Sequence, residues 1–559
     1  MSNAPFSDRN LQTVRVADFT PGIVRFGRGS LAQTYAPHAP PGSAAQAFRC
    51  IAEPGIGLVP FPDYVPAMTF TAGSHTFAQA LSVGNQMALP STIGDSLVTA
   101  YITHSSAGTA YVTRGEVPAP TTAAPVTPTT LYSNATAGGG VVPWNSMDVG
   151  FFQDPSTSVY KRAVIMTDPS QYSYITVPDW HNPAGGGAAA PFATGALPVP
   201  SAATPRIFYH AARAGVFHYY NAPNDTAGFP APGADQLDVS DLLSLANFHL
   251  SGFYYPEMGS SIGTWGSIST GEFFMCYSAG GAVLLYGDLY APTSAYKLPG
   301  VVGPGACLGR AALSPAGLIY ATSTDGAYAW NGNNNSQKIS TQIPDDVLFR
   351  TPLPDPYNSE GARRHSSNLA WGAWVMFPNN WVFDSIGGGW WQSEDPAVAN
   401  FQVNCQAVSD NRYFYATPGF TLAAAGVSPA VTTYQYDRYS PASSYMWLSN
   451  PVVVAADALV SLQLLEVVVS NPSPAPCTVT LTPAVPAGQV PFSQQNQGQA
   501  AVFTVPAATV AWRGSQRVGY SDYNVQVRVD AANSNPALPA PTVHEFAVGY
   551  TTTRVAGVQ

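Results

Sequence analysis

Charge is the scarcest property of this sequence. Only 22 lysines and arginines and 32 aspartates and glutamates stand among 559 residues, 10% in all, and the formal net charge is −10. So few cations, spread thinly, argue against a protein that grips nucleic-acid phosphates, though not against one past which DNA slides. Cysteine is scarce too. Cys50, Cys276, Cys307, Cys405 and Cys477 lie far apart with no Cys-x-x-Cys pair, which argues against a zinc cluster or a disulfide framework and reads as buried free thiols. No apolar run approaches membrane-spanning length, and the first residues hold no apolar signal core. The expectation is a soluble chain made in the cytoplasm, without membrane insertion. Nucleotide-binding glycine loops, the zinc-protease helix motif and the Gly-x-Ser-x-Gly elbow are all missing.

What the chain does have is apolar and aromatic residues, 46% and 12%, punctuated by 51 prolines and 50 glycines. That suits many short strands joined by turns. The clearest case is Leu318-Ile-Tyr320 and Ala327-Tyr-Ala-Trp330, two β-prone runs around Thr324-Asp325-Gly326, the signature of a tight hairpin. Looser hairpins recur around Tyr101 and Tyr111, Ile165 and Tyr174, Phe208 and Phe217, Phe274 and Leu285, Val375 and Val382, and Tyr413 and Tyr434. About seven such units, at intervals of roughly 40 to 65 residues, match the period of four-stranded blades, with six or eight also compatible.

The expected fold is therefore all-β: a β-propeller over 91–445, an antiparallel β-sandwich over 446–559, and an irregular N-terminal segment over 1–90. Period-2 alternation supports the sandwich, with Val525, Val527 and Val529 inward and Asn524, Gln526 and Arg528 outward. A short helix is expected over 238–248, capped by Asp238 or Ser240. The N-terminal segment carries Phe19, Ile23, Phe26, Ile56, Leu58 and Phe61 but few regular strands to bury them. It reads as an assembly segment, with Phe19, Pro21, Ile23 and Phe26 as the suspected subunit interface.

Candidate chemistry is sparse. Ser323-Thr-Asp325-Gly-Ala-Tyr-Ala-Trp330 approaches the Asp-box turn of sialidase propellers, but its glycine follows the aspartate directly and Ala329 stands at the threonine position. Arg363, Arg364 and His365 suggest either an anion-binding cluster or a solvated loop. The acidic run Asp235, Asp238 and Asp241 lacks the glycine and closing glutamate of a calcium loop. Trp371, Trp374, Trp381, Trp390 and Trp391 offer either a sugar-stacking platform or inter-blade packing. No catalytic residue, cofactor or metal ligand is assigned, and the chain is expected to be no enzyme. Asp288, Glu360 and Arg364 are the residues to test against that expectation, since acid–base work needs groups brought to one cleft.

Asp18-Phe-Thr-Pro-Gly-Ile23, Asp325-Gly-Ala-Tyr-Ala-Trp-Asn-Gly332 with Lys338-Ile-Ser340, and Trp381-Val-Phe-Asp384 with Trp390-Trp391 occur in an order that resembles propeller-bearing tail proteins of tailed bacteriophages, of the nozzle or minor-tail type. The resemblance implies a structural virion component assembled with other copies of itself around the tail axis. Neighbouring tail or adaptor proteins would be its partners, with transient passage of phage DNA. The alternative is a carbohydrate-binding or carbohydrate-cleaving propeller acting in host adsorption.

Overall fold

The computed structural model describes residues 11–24, 39–40, 42–69, 432–454, 458–484 and 500–554, and within 77–416 the strands named below with their adjoining turns. Among these residues the secondary structure is strand and turn throughout.

The C-terminal part folds as two facing antiparallel sheets, and the reason is visible in the alternation. Cys477–Ala484 buries Cys477, Val479 and Leu481 and leaves the threonines between them half-buried. Ala501–Val505 alternates in the same way, and so does Ala458–Asn471 on either side of a register shift at Leu462–Leu464. Asn524–Asn533 breaks the pattern at one place: Gln526, expected outside, is buried because its amide Nε2 donates to Ser449 O at 2.9 Å, so a polar side chain is satisfied inside.

The described residues of 1–90 do not stand apart as an irregular segment. β1 (Gln12–Val16) pairs with the Thr542–Arg554 strand, β2 (Ala44–Phe48) with Ser444–Ser449, and β3 (Cys50–Glu53) with β4 (Gly57–Pro60), which also touches Thr542–Arg554. The segment looked irregular because β1, β2 and β4 find partners roughly 400 to 540 positions further along the chain. The sandwich is thus built from both ends of the sequence. Its core joins Phe19 to Trp447 (5.3 Å between ring centroids, edge-on) and to Phe546 (6.2 Å).

Between these two parts runs the propeller. Its described strands fall into successive antiparallel groups: Phe77–Asn85 to Thr129–Ala135; Ser146–Gln153 to Tyr172–Thr176; Arg206–His210 to Phe248–Leu250; Gly266–Ser269 to Pro292–Leu298; Ala312–Leu313 to Gln337–Lys338; and Leu369–Trp371 to Trp390–Gln392. The final group, Cys405–Ser409, Arg412–Ala416 and Thr432–Pro441, takes its fourth strand from the other end of the domain: β5 (Pro62–Thr69) pairs with Thr432–Pro441 from Thr69↔Thr432 to Pro62↔Pro441. A circular array closed by strands from its two ends has no free edge at the seam. The propeller therefore begins at residue 62, not 91, and is an insertion within the sandwich.

The hairpin at 319–330 forms as its sequence predicts, with Ile319↔Trp330 and Ser323↔Gly326 in register. The helix expected over 238–248 does not form. Gln236–Ser240 is a strand, Leu242 is 58% exposed, and Leu243 has φ 56°, a left-handed conformation that no α-helix contains. Val239 and Ser240 are buried by their strand neighbours, so tertiary pairing overrides a weak helical pattern.

Candidate functional site

Neighbouring strands in each group are antiparallel, so its first-to-second and third-to-fourth connections emerge at the same end. On that rim the turns of three successive groups meet. Gln153 N donates to Leu243 O (2.7 Å) and Leu243 N to Ala212 O (2.8 Å), while the Phe152 and Tyr209 rings lie edge-on at 5.4 Å. Ala211 and Ala212 form a two-residue hairpin loop between His210 and Arg213, both with positive φ (46° and 66°), which is the backbone such a loop requires.

That loop delivers Arg213 to Asp288 of the next group. Nη2 donates to Oδ2 at 2.7 Å, Nε lies 2.6 Å from Oδ1 as an ion contact without hydrogen-bond alignment, and Nη1 donates to Ser240 O at 2.7 Å. Asp288 in turn accepts from Tyr290 N at 2.8 Å, and the Tyr290 ring lies 5.7 Å from the guanidinium carbon. The hydrogen bond from Arg213 holds the Asp288 carboxyl below its ordinary range, so it is ionised at neutral pH. The arginine side chain is 12% exposed and the aspartate 41%; Tyr290 is 44% exposed as a residue. Solvent therefore meets an oriented aromatic ring beside an ionised acceptor, with the cation behind them. His210, buried under the loop, is kept neutral because burial lowers its pKa.

A second cluster has the same composition and a different setting. Arg49 pairs with Asp63, whose Oδ1 accepts from Tyr64 N at 2.9 Å; Glu394 Oε2 lies 3.5 Å from Arg49 Nε, and the Tyr64 ring is 5.9 Å from the guanidinium. Burial alone would lower the Arg49 pKa, but Asp63 and Glu394 more than offset it and raise the value. Arg49 sits at φ 60° between β2 and β3, its N donating to Gln392 O (3.1 Å) and its O accepting from Phe61 N (2.8 Å). It is a strut joining sandwich to propeller.

The suspected interface residues lie elsewhere than expected. Phe19 and Ile23 are 1% and 0% exposed inside the chain's own core, so they present no surface to a partner; Pro21 is half-buried, and Phe26 falls outside the described residues. Asp18-Phe-Thr-Pro-Gly22 is a turn. Asp18 Oδ1 accepts from Thr20 N and Thr20 Oγ1, Gly22 N donates to Phe19 O, and Gly22 adopts φ 63° with Trp390 backbone where a Cβ would sit, 2.7 Å away. Trp371, Trp381, Trp390 and Trp391 are buried to 1% exposure or less, which makes them packing residues instead of a sugar platform. Asp325, Glu360, Arg363, Arg364 and His365 fall outside the described residues. No group of three metal-binding side chains occurs among the described residues, and no helix there is long and apolar enough to cross a membrane. Of the residues singled out in the sequence, Asp288 enters the rim cluster through its carboxylate and Ser240, expected as a helix cap, through its backbone carbonyl. Arg213 and Tyr290 were missed, although the two-residue gap between His210 and Arg213 marks a tight loop and Asp288-Leu-Tyr290 follows a strand directly.

No protein-family model matches the chain, and no curated protein matches it. Among solved structures it is similar to an exo-inulinase from Aspergillus awamori (10% identity, 88% of this chain and 98% of that one, TM-score 0.28). It is also similar to an exo-β-1,3-galactanase from Phanerochaete chrysosporium (10% identity, 74% and 97%, TM-score 0.25) and to the Trypanosoma rangeli sialidase (8% identity, 97% and 96%, TM-score 0.22). Glycoside hydrolases thus stand among the structures it resembles, and the expectation that the chain is no enzyme is withdrawn: missing sequence motifs do not exclude catalysis on such a fold. Likeness at this level assigns no activity in its place.

Proposed function

We propose that this chain is a carbohydrate-recognising propeller that acts in host adsorption, carried in the tail of a bacteriophage. The observation that carries the reading is the rim cluster: Tyr290 exposed and oriented, Asp288 ionised and solvent-facing, Arg213 locking both across two groups of strands. A sugar presents a C–H face and a ring of hydroxyl donors, which an aromatic plane and a carboxylate complement. The virion setting is supported by the resemblance of the three sequence stretches to tail propellers, with further copies of the chain and neighbouring tail or adaptor proteins as partners.

The test is direct. Purified protein is incubated with polysaccharides, and both binding and released reducing sugar are measured. Tyr290→Ala is expected to weaken binding at least tenfold, about 1.4 kcal/mol, without changing the thermal midpoint. Binding that survives Tyr290→Ala would place recognition elsewhere. Released sugar would show cleavage as well as binding, and its loss on Asp288→Asn would identify the same rim as the catalytic one.

A further inference from the structure

The rim cluster has two arginine-side features that bear on which sugars it takes. Arg213 spends its guanidinium inside the protein: Asp288 occupies one edge, Ser240 O a further N–H, and the Tyr290 ring one face, leaving the side chain 12% exposed. An arginine that recognises a carboxylate needs its fork open to the ligand. Here the fork is filled by an internal carboxylate.

What faces solvent is of the other sign. Asp288 is 41% exposed and ionised, and it lies two residues from Tyr290, which it orients through its backbone N–H. Leu242, 58% exposed on the adjoining turn, adds apolar surface. A ligand laid on Tyr290 therefore meets the negative end of the Arg213–Asp288 pair, an acceptor that rewards hydroxyl donors and disfavours a second carboxylate beside it. The chain's net charge of −10 acts in the same direction at longer range.

We infer that the Tyr290–Asp288 rim takes uncharged sugars and discriminates against sialic and uronic acids. The inference rests on the reading of this rim as a glycan-binding face. Its chemistry is recognition alone: hydroxyl protons donated to Asp288, the C–H face of a pyranose or furanose on the tyrosine ring, and an arginine whose fork is already filled by Asp288.

The experiment compares matched neutral and acidic polymers, fully methyl-esterified against de-esterified polygalacturonate and amylose against its 6-carboxylated form, by isothermal titration with the full chain at low salt. The neutral member is expected to bind at least tenfold more tightly, through Tyr290 as judged by Tyr290→Ala. Raising the salt to several hundred millimolar should narrow the gap, because screening weakens the repulsion. Asp288→Asn should narrow it further by removing the repelling charge and opening the arginine. The salt series needs no variant, so it decides the matter even if Asp288→Asn fails to fold. An acidic member that binds as tightly as its neutral counterpart, and loses that binding in Tyr290→Ala, would overturn the charge selection while leaving the glycan-binding reading intact. Binding of neither, or binding indifferent to Tyr290→Ala, would overturn both. A gap that salt does not alter would show that charge is not its cause.

Discussion

Arg49 and Arg213 each meet an aspartate and a tyrosine, yet their surroundings give them different work. Arg49 has a second carboxylate, Glu394, whose side chain is only 6% exposed, so removing the cation takes away a charge that offsets the cost of burying it. Arg49→Ala should cost about 3 kcal/mol, the lower end for breaking a buried pair because the arginine is itself partly exposed; chemical denaturation measures it, and Glu394→Gln on the same background should recover part of the loss. Asp288, with its pKa held down by Arg213, follows the rule for a depressed carboxylate: its contribution is present above the ordinary range and is lost as pH falls through the lower folded value. Ligand binding at the rim should therefore stay flat from pH 8 down to about 4. His210 behaves oppositely in position though not in sign. Buried neutral, it lets the unfolded chain bind more protons below its ordinary value of 6.5, so stability falls with pH from there downward. The drop in thermal midpoint between pH 7 and pH 5 should be smaller in His210→Asn than in the parent.

At the scale of elements, the Asp18–Ile23 turn shows what a local sequence reading can and cannot deliver. The turn chemistry is legible: an aspartate capping the threonine after it, then Pro-Gly. Its purpose is not, because Phe19 is buried by Trp447 and Phe546, hundreds of residues away. An apolar residue without a nearby strand was read as an interface when it was core. Phe19→Ala distinguishes the two directly, since a core aromatic costs ~3–5 kcal/mol and lowers the thermal midpoint, whereas an interface residue changes sedimentation and leaves the midpoint alone. Hairpins such as 319–330, whose partners adjoin in sequence, were legible with their register. The sandwich strands were legible from alternation. Gln526 and the 236–240 strand were not, for one reason: each is decided by the neighbour across it, Ser449 in one case and the His249-bearing strand in the other. The rim cluster lay beyond reach in the same way, being assembled from turns of separate groups.

For the whole molecule, the decisive fact is that the propeller leaves and returns through adjacent strands. β5 and Thr432–Pro441 run side by side, so residues 62–441 should fold as a closed unit when expressed alone. Removal of residues 1–24 should instead strike the sandwich, taking β1 from the Thr542–Arg554 strand and Phe19 from the core, and a two-step thermal unfolding profile with only its sandwich step lowered is the expected readout. The same pairing governs how the chain is made. About 360 residues separate Thr69 from Thr432, and at a synthesis rate of ~5–20 residues per second β5 waits on the order of twenty seconds to a minute for its partner. β1 waits longer still, for the Thr542–Arg554 strand. Each seam stays open until its partner strand has been made, so a ribosome that stops short of it releases a product with bare strand edges and an uncovered core. Such a product is conspicuous to proteases and holdases, so the two long-range seams make a truncated chain easy to recognise and clear.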